Sequence, residues 1–238
     1  MAGSMSAPTT TVLCRVIALA LCAAVAPASA EIVTRLPTSA KVVALTFDAC
    51  QAFERMPLDH GIVDYLLAHH IPFTVFLGGR FARDNANDVR ALAAQPEVEI
   101  ENHSWSHRTD MRTLPDERVR SEVSRAEKEI KRETGRTTRI FRFPGGLSDE
   151  RTVTLVEALG YQVVHWRYAS GDPDARISAD DLVRDALART RRGDILIFHV
   201  NGRGLHTAEA LPRIVDGLTA RGYRFVRLDE YLHAPAGA

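Results

Sequence analysis

Three histidines and one aspartate carry the clearest chemistry in this sequence. His103 and His107 are four positions apart, and two imidazoles at that spacing face the same way if the segment is helical, so that one metal ion could bind both. Asp48 and His199 each end an apolar run. Asp48 is a candidate catalytic carboxylate, and His199 becomes a candidate general acid if the two run ends face each other on a ring of strands. The structural alternatives are a capping carboxylate and a buried core histidine.

A second candidate cluster consists of Arg142 and the two glycines that follow it, Gly145 and Gly146. Arg142 ends another apolar run and could hold a carboxylate by a bidentate contact. The turn that follows it contains Gly145, whose N–H could point at a developing oxyanion because little side chain stands in the way. An ordinary turn with a solvent-facing arginine is the alternative. A further polar segment extends from Trp166 to Asp174.

Seven apolar runs alternate with amphipathic segments and predict the scaffold that positions these residues. Most of the runs are continuously apolar, which is typical of buried parallel strands. Repeated βα units give either an open sheet or a closed barrel. Because polar residues follow five separate strand ends, we expect an α/β fold of the distorted (β/α) barrel type with about seven parallel strands. The predicted strands are Val42–Asp48, Pro72–Leu77, Val98–His103, Arg139–Phe143, Tyr161–Tyr168, Asp194–His199 and Phe225–Leu228.

The clearest predicted helix extends from Pro115 to about Thr134, because its apolar residues recur at helical spacing. Thr113 is its predicted cap and Gly135 its predicted stop. Other helices are expected to begin near Asp59, Arg80, Ser148, Ser178 and Thr207.

The N-terminal residues predict export. Arg15 precedes an apolar run from Val16 to Val25 that is short for a membrane span, and Ala28-Ser29-Ala30 has the pattern of a signal-peptidase site. We therefore expect a signal peptide over residues 1–30, a catalytic domain over residues 31–238, a periplasmic or extracellular location and no stable membrane anchor. Removal of the signal leaves Cys50 as the one cysteine, either a buried small residue or a neighbour of the site.

The formal net charge is zero, with 30 basic and 30 acidic residues. That balance gives no indication of a nucleic-acid partner.

The order of these clusters resembles that of the polysaccharide deacetylases of carbohydrate esterase family four, the NodB-homology domain. The family has five ordered motifs, and the resemblance covers essentially the whole chain after residue 30. The matching segments are Thr46–Ala49, His103–His107, Arg142–Gly146, Trp166–Asp174 and Ile197–His199.

The resemblance implies a distorted (β/α) barrel that removes N-acetyl groups from a carbohydrate polymer or oligomer. It also implies a divalent metal ion held by His103 and His107, with zinc expected and cobalt or nickel as alternatives. The implied roles of the other residues are Asp48 as general base, Arg142 as the group that keeps it ionised, Gly145 as oxyanion donor, His199 as general acid, Asp172 as its partner, and Ile197, Trp166 and Trp105 as walls for the acetyl group and sugar.

The chain departs from the family pattern at the second aspartate of the first motif, where it has Ala49. Three outcomes are open: Asp59 supplies a substitute carboxylate, water fills the position, or no metal binds. In the fourth motif, Ala169 replaces the first aspartate. The polar loop after His199 suggests Arg203 and His206 as substrate contacts, with a plain helix-capping turn as the alternative.

Two other functions compete with deacetylation of a glycan. One is a sugar-binding module on an inactive deacetylase fold, which Ala49 favours and the retained Asp48 and His199 oppose. The other is hydrolysis of a small amide or cyclic ureide, which the export signal opposes. Peptidoglycan, chitin oligomers, an exopolysaccharide and a lipid-linked sugar all fit the sequence as substrates.

Overall fold

A curled sheet of seven parallel strands forms the centre of the protein in a computed structural model, which describes residues 1–3 and 31–232. The predicted signal peptide lies almost entirely outside the described residues. The strand order is β5-β4-β3-β2-β1-β6, and β7 pairs with the first residues of β1. All seven predicted strands are present. Their bounds are β1 Val42–Ala49, β2 Phe73–Leu77, β3 Val98–Asn102, β4 Ile140–Phe141, β5 Gln162–Val163, β6 Ile195–His199 and β7 Arg224–Val226.

Single bridges span the gap between β5 and β6. Val33 pairs with Val164 and Arg35 with Asp194, so the segment after residue 30 crosses one end of the gap. At the other end, Ala169 pairs with Ile197. The predicted strand Tyr161–Tyr168 is reduced to two residues of ladder because its continuation makes only these isolated contacts. The result is the expected distorted barrel, with a curled sheet completed by bridges.

Between residues 31 and 232, seven α-helices pack around the sheet: α1 His60–Ala68, α2 Gly79–Asp84, α3 Ala86–Ala93, α4 Asp116–Thr134, α5 Glu150–Glu157, α6 Ala179–Arg189 and α7 Thr207–Ala220. The predicted stop of α4 at Gly135 is confirmed, since that residue is left-handed with φ 70°. The predicted cap at Thr113 is wrong. Pro115 occupies the cap position, and the Thr113 hydroxyl donates to the carbonyl of Asp110 instead.

Alternation along the strands divides the core into two layers. Leu45 and Phe47 of β1 pack against apolar residues of helices α1, α6 and α7. Val42 and Ala44 face the inside of the sheet, with Phe76 and Ile140 from neighbouring strands. Asp48 continues the inner face at the C-terminal end of β1, so the strand directs this carboxylate into the barrel mouth.

Within the described residues, no helix has the length and apolar character needed to cross a membrane.

Candidate active site

The C-terminal ends of the strands surround a pocket of about 280 Å³. Asp48 and His199 are paired residues on neighbouring strands β1 and β6. The two strand ends therefore lie side by side at the pocket, rather than facing each other across the ring of strands. Of the residues singled out from the sequence, the pocket is lined by Asp48, His107, Gly145, Trp166, Asp172, Ile197, His199 and Arg203.

Asp48 is buried and paired with a buried arginine. Arg142 Nη1 donates to Asp48 Oδ1 at 2.8 Å. The guanidinium is itself fixed because Nη2 donates to the His165 carbonyl at 3.2 Å and its carbon lies 3.9 Å from the centre of the Phe76 ring. Burial alone would raise the pKa of Asp48, but the neighbouring basic side chains of His103, Arg142 and His199 lower it to about 2. Arg142 is the permanent cation among them, so it keeps Asp48 ionised at neutral pH.

The segment from His103 to His107 is a loop, so the helical geometry considered for this pair is wrong. Ser104 and His107 have positive φ angles of 67° and 52°, a backbone conformation that non-glycine residues adopt at an energetic cost. Glu122 of α4 stabilises the loop, because its carboxylate accepts from the Ser106 N–H and hydroxyl, both at 2.9 Å. The loop still brings the two imidazoles together, with ring centres 5.1 Å apart.

Both imidazoles are held in their neutral form. Burial lowers the pKa of His103, and burial together with His103 lowers the pKa of His107 to about 3. His103 Nδ1 lies 2.9 Å from the carbonyl oxygen of Arg142. A carbonyl only accepts, so Nδ1 carries the proton and Nε2 presents a lone pair. Neutral imidazoles with a free lone pair are the form that binds a metal ion.

Cys50 joins the two histidines. Its Sγ lies 3.6 Å from His103 Nε2, and one donor atom from each of Cys50, His103 and His107 lies within 4.8 Å of the others. Burial raises the pKa of the Cys50 thiol well above its usual value. These three side chains are of the types that bind zinc, and their separations fit a single ion, so the residues present fit the metal that the resemblance implies.

His199 is held by a buried carboxylate. Its Nδ1 lies 2.9 Å from Asp172 Oδ1, and its backbone N–H donates to Asp172 Oδ2 at 2.7 Å. Thr207 Oγ1 also donates to Asp172 Oδ2, at 2.9 Å. Because Asp172 accepts from Nδ1, the other ring nitrogen of His199 is left available to the pocket.

Two glycines and a tryptophan form another wall. Gly145 is left-handed with φ 63°, and among residues 31–232 its N–H donates to no protein acceptor. Gly146 has φ 66°, and a Cβ at this position would lie 2.8 Å from the Trp166 ring. Glycine is therefore required there for the close approach of the backbone to Trp166.

Three residues named from the sequence lie elsewhere. Asp59 accepts from the Ile62 N–H as the cap of α1 and is absent from the group formed by Cys50 and the histidines, so its proposed role as substitute ligand has no support. His206 occupies the cap position of α7 and does not line the pocket. Trp105 is buried and packs beneath the guanidinium groups of Arg83 and Arg125.

Sequence reasoning left Cys50 undecided and did not single out Thr109, which lines the pocket. The signal for Cys50 was its position two residues after Asp48, at the same strand end.

A parallel barrel with a carboxylate, an imidazole and candidate metal ligands at its strand ends has the groups that metal-assisted hydrolysis requires. The family is shown by sequence: residues 35–164 match the model of the polysaccharide deacetylase family, and the chain belongs to that family. Relatives of this chain are named as deacetylases, which are hydrolases that act on carbon–nitrogen bonds.

Two relatives that are named as deacetylases match most of the chain. A peptidoglycan-N-acetylglucosamine deacetylase of Bacillus cereus is 26% identical over 199 residues, which are 83% of this chain and 91% of that protein. A chitooligosaccharide deacetylase of Sinorhizobium fredii is 29% identical over 206 residues, covering 80% and 92% of the two chains.

A solved structure supports the fold. A family-four pseudoenzyme from Bacillus anthracis has a TM-score of 0.76 and 24% identity, over 87% of this chain and 70% of that one.

Proposed function

We propose that this chain is a metal-dependent hydrolase that removes N-acetyl groups from a polysaccharide or oligosaccharide after export from the cell. The observation that carries the proposal is the arrangement of two hydrogen-bonded side-chain pairs around one pocket. Asp48 with Arg142 and His199 with Asp172 stand at neighbouring strand ends, beside His103 and His107. Such an arrangement offers a proton acceptor, a proton donor and a metal site to one substrate.

The protein residues account for both proton transfers of amide hydrolysis. Asp48, kept ionised by Arg142, accepts a proton from the attacking water. The water oxygen bonds to the acetyl carbon, and the Gly145 N–H donates to the carbonyl oxygen as it gains negative charge. His199 then gives a proton to the nitrogen as the carbon–nitrogen bond breaks, which leaves acetate and a free amine. A divalent ion bound by His103 and His107 would supply Lewis acidity toward the carbonyl and lower the pKa of water.

The pocket walls fit an acetamido sugar. Ile197 and the half-buried Trp166 are two apolar residues at the pocket that can contact the acetyl methyl group and one face of a sugar ring. The two relatives act on N-acetylated glycans according to their names, which supports a substrate of that class.

Acetate release from N-acetylated glycans tests this proposal. The purified protein should release acetate from at least one of a peptidoglycan, chitooligosaccharide or exopolysaccharide panel, and chelator treatment should abolish the release until zinc or cobalt is added. Asp48→Asn and His199→Ala should each reduce the rate by roughly 10²–10⁴-fold. His69→Ala serves as the matched control, because His69 is an exposed residue at the end of α1.

A sugar-binding protein without activity is the second candidate, because Ala49 departs from the family pattern and a structural neighbour is described as a pseudoenzyme. Glycan binding that is unchanged by His199→Ala, with no acetate released under any metal, would favour this candidate and contradict the deacetylase.

A further inference from the structure

We propose that Cys50 is the third protein ligand of the metal site, so that the site is Cys-His-His with a thiolate in place of the carboxylate of the family. The inference rests on the proposed metal dependence and adds the identity of the anionic ligand. It has a consequence for metal choice, because a thiolate prefers zinc or cobalt over magnesium and manganese.

The first support is a distance. Zinc bonds to sulfur at about 2.3 Å and to imidazole nitrogen at about 2.0–2.1 Å, and a tetrahedral angle between them separates the two donor atoms by about 3.6 Å. Cys50 Sγ and His103 Nε2 are 3.6 Å apart. His107 also brings a ring nitrogen within 4.8 Å of both atoms. Cys50 and His103 therefore already have the separation that a shared zinc ion requires, and His107 lies close enough to be a third ligand.

The second support is the orientation of His103. Its Nδ1 donates to the carbonyl of Arg142 at 2.9 Å, which directs the lone pair of Nε2 toward Cys50 Sγ and Asp48 Oδ2, the latter 3.4 Å away. A backbone carbonyl behind the outer nitrogen is the usual support of a metal-binding histidine. Several electron-rich atoms thus face each other in a buried space, an arrangement that a cation stabilises.

The third support is the fixed position of the cysteine. The Ala49 carbonyl accepts from the Gly78 N–H at 3.1 Å, and the Cys50 carbonyl accepts from the Asn201 side chain. Ala49 itself packs in the layer between the sheet and the helices, whereas Cys50 faces His103. The chain therefore places its anionic donor one residue later than the family motif does.

Coordination by Cys50 requires loss of its thiol proton to solvent as the sulfur–metal bond forms. Three protein ligands leave one tetrahedral position open, as is typical of catalytic zinc sites.

Cobalt spectroscopy tests the inference without reference to activity. The full chain with Cys14→Ser and Cys22→Ser has Cys50 as its one thiol, so an ultraviolet thiolate-to-cobalt charge-transfer band can come from no other residue. We expect this band together with visible cobalt bands at one equivalent of cobalt. In the same background, Cys50→Ser should remove the ultraviolet band and weaken cobalt binding at least about tenfold. Cys50→Asp should restore binding without the band.

A second measurement does not depend on a variant that folds. X-ray absorption of the zinc-loaded background protein should show one sulfur at about 2.3 Å among nitrogen or oxygen neighbours. A zinc site with no sulfur neighbour, or cobalt binding without the ultraviolet band, would overturn the assignment of Cys50. If metal-dependent acetate release persisted in that case, the proposed function would stand and only this ligand would be wrong.

Discussion

Two buried glutamates inside the barrel should make the stability of this protein fall as the pH rises. Glu99 and Glu101 alternate with apolar residues on β3, so both face the interior. Glu99 Oε2 accepts from the Thr74 hydroxyl at 2.6 Å and from the Leu228 N–H at 2.8 Å, and its Oε1 has no protein partner among the described residues. Glu101 Oε2 accepts from the Ile140 N–H at 2.7 Å.

Burial of Glu99, with the nearby charge of Asp229, raises its pKa from 4.5 to about 7. Burial and the charge of Glu99 raise the pKa of Glu101 well above its usual value. The folded state therefore binds these protons more tightly than the unfolded chain does. Their contribution to stability is complete below about pH 4.5 and is lost as the pH rises through 7. At about 1.4 kcal/mol for each pKa unit, the loss for Glu99 is about 3 kcal/mol.

Glu99→Gln is the matched perturbation, because it keeps the shape and one acceptor oxygen but cannot ionise. Urea unfolding of the metal-free protein should be measured at pH 5 and pH 8.5. Three buried histidines act in the opposite direction, because their lowered pKa values make the folded protein less stable as the pH falls. They are His103, His107 and His165. The quantity to compare is therefore the free energy of unfolding of the variant minus that of the wild type at each pH, because the histidine contributions cancel in this difference.

We expect this difference in unfolding free energy to favour the variant by about 1–3 kcal/mol more at pH 8.5 than at pH 5. Glu209→Gln, at an exposed position in the first turn of α7, should show no such change. A Glu99→Gln difference that is the same at both pH values would refute the reasoning, because it would mean that the glutamate is ionised in the folded protein at pH 5 as well.

Three further predictions concern the candidate site. Arg142→Met should lower the free energy of unfolding in urea by about 3–5 kcal/mol, because Asp48 would be left as a buried charge without its partner. A change below about 1 kcal/mol would contradict a tight pair between Asp48 and Arg142. Asp172→Asn should reduce acetate release roughly 10²-fold or more while leaving zinc affinity unchanged, because it removes the support of His199. Glu122→Ala should instead weaken zinc binding about 10–100-fold by calorimetry, because the loop between the histidines loses two hydrogen bonds. A zinc affinity equal to that of the wild type would contradict this role of Glu122.

Most of the fold followed from local patterns. Most strands are short and mainly apolar, and each is followed by a helix or a polar turn, so the seven strands were predicted with their ends in error by a few residues. The largest errors were at Tyr161–Tyr168 and at the cap of α4. In the first, pairing depends on the distant residues Val33 and Ile197. In the second, the hydroxyl of Thr113 found another carbonyl nearby.

The sequence by itself determined which residues stand at the strand ends, because the end of an apolar run is visible in the order of residues. Asp48, Arg142 and His199 were found in this way, whereas His103 and His107 were singled out by their spacing of four residues. The ordered spacing of these motifs also identified the family, which the comparison with residues 35–164 then showed.

Only the tertiary structure decided which side chains meet. Asp48 and Arg142 are 94 positions apart, and Cys50 and His103 are 53 apart, so no local pattern could show that either pair is in contact. The same holds for Asp59, whose carboxylate is used by its own helix. Contact depends on the register of neighbouring strands and on loop backbone such as the positive φ of His107, and both are set by packing across the whole barrel.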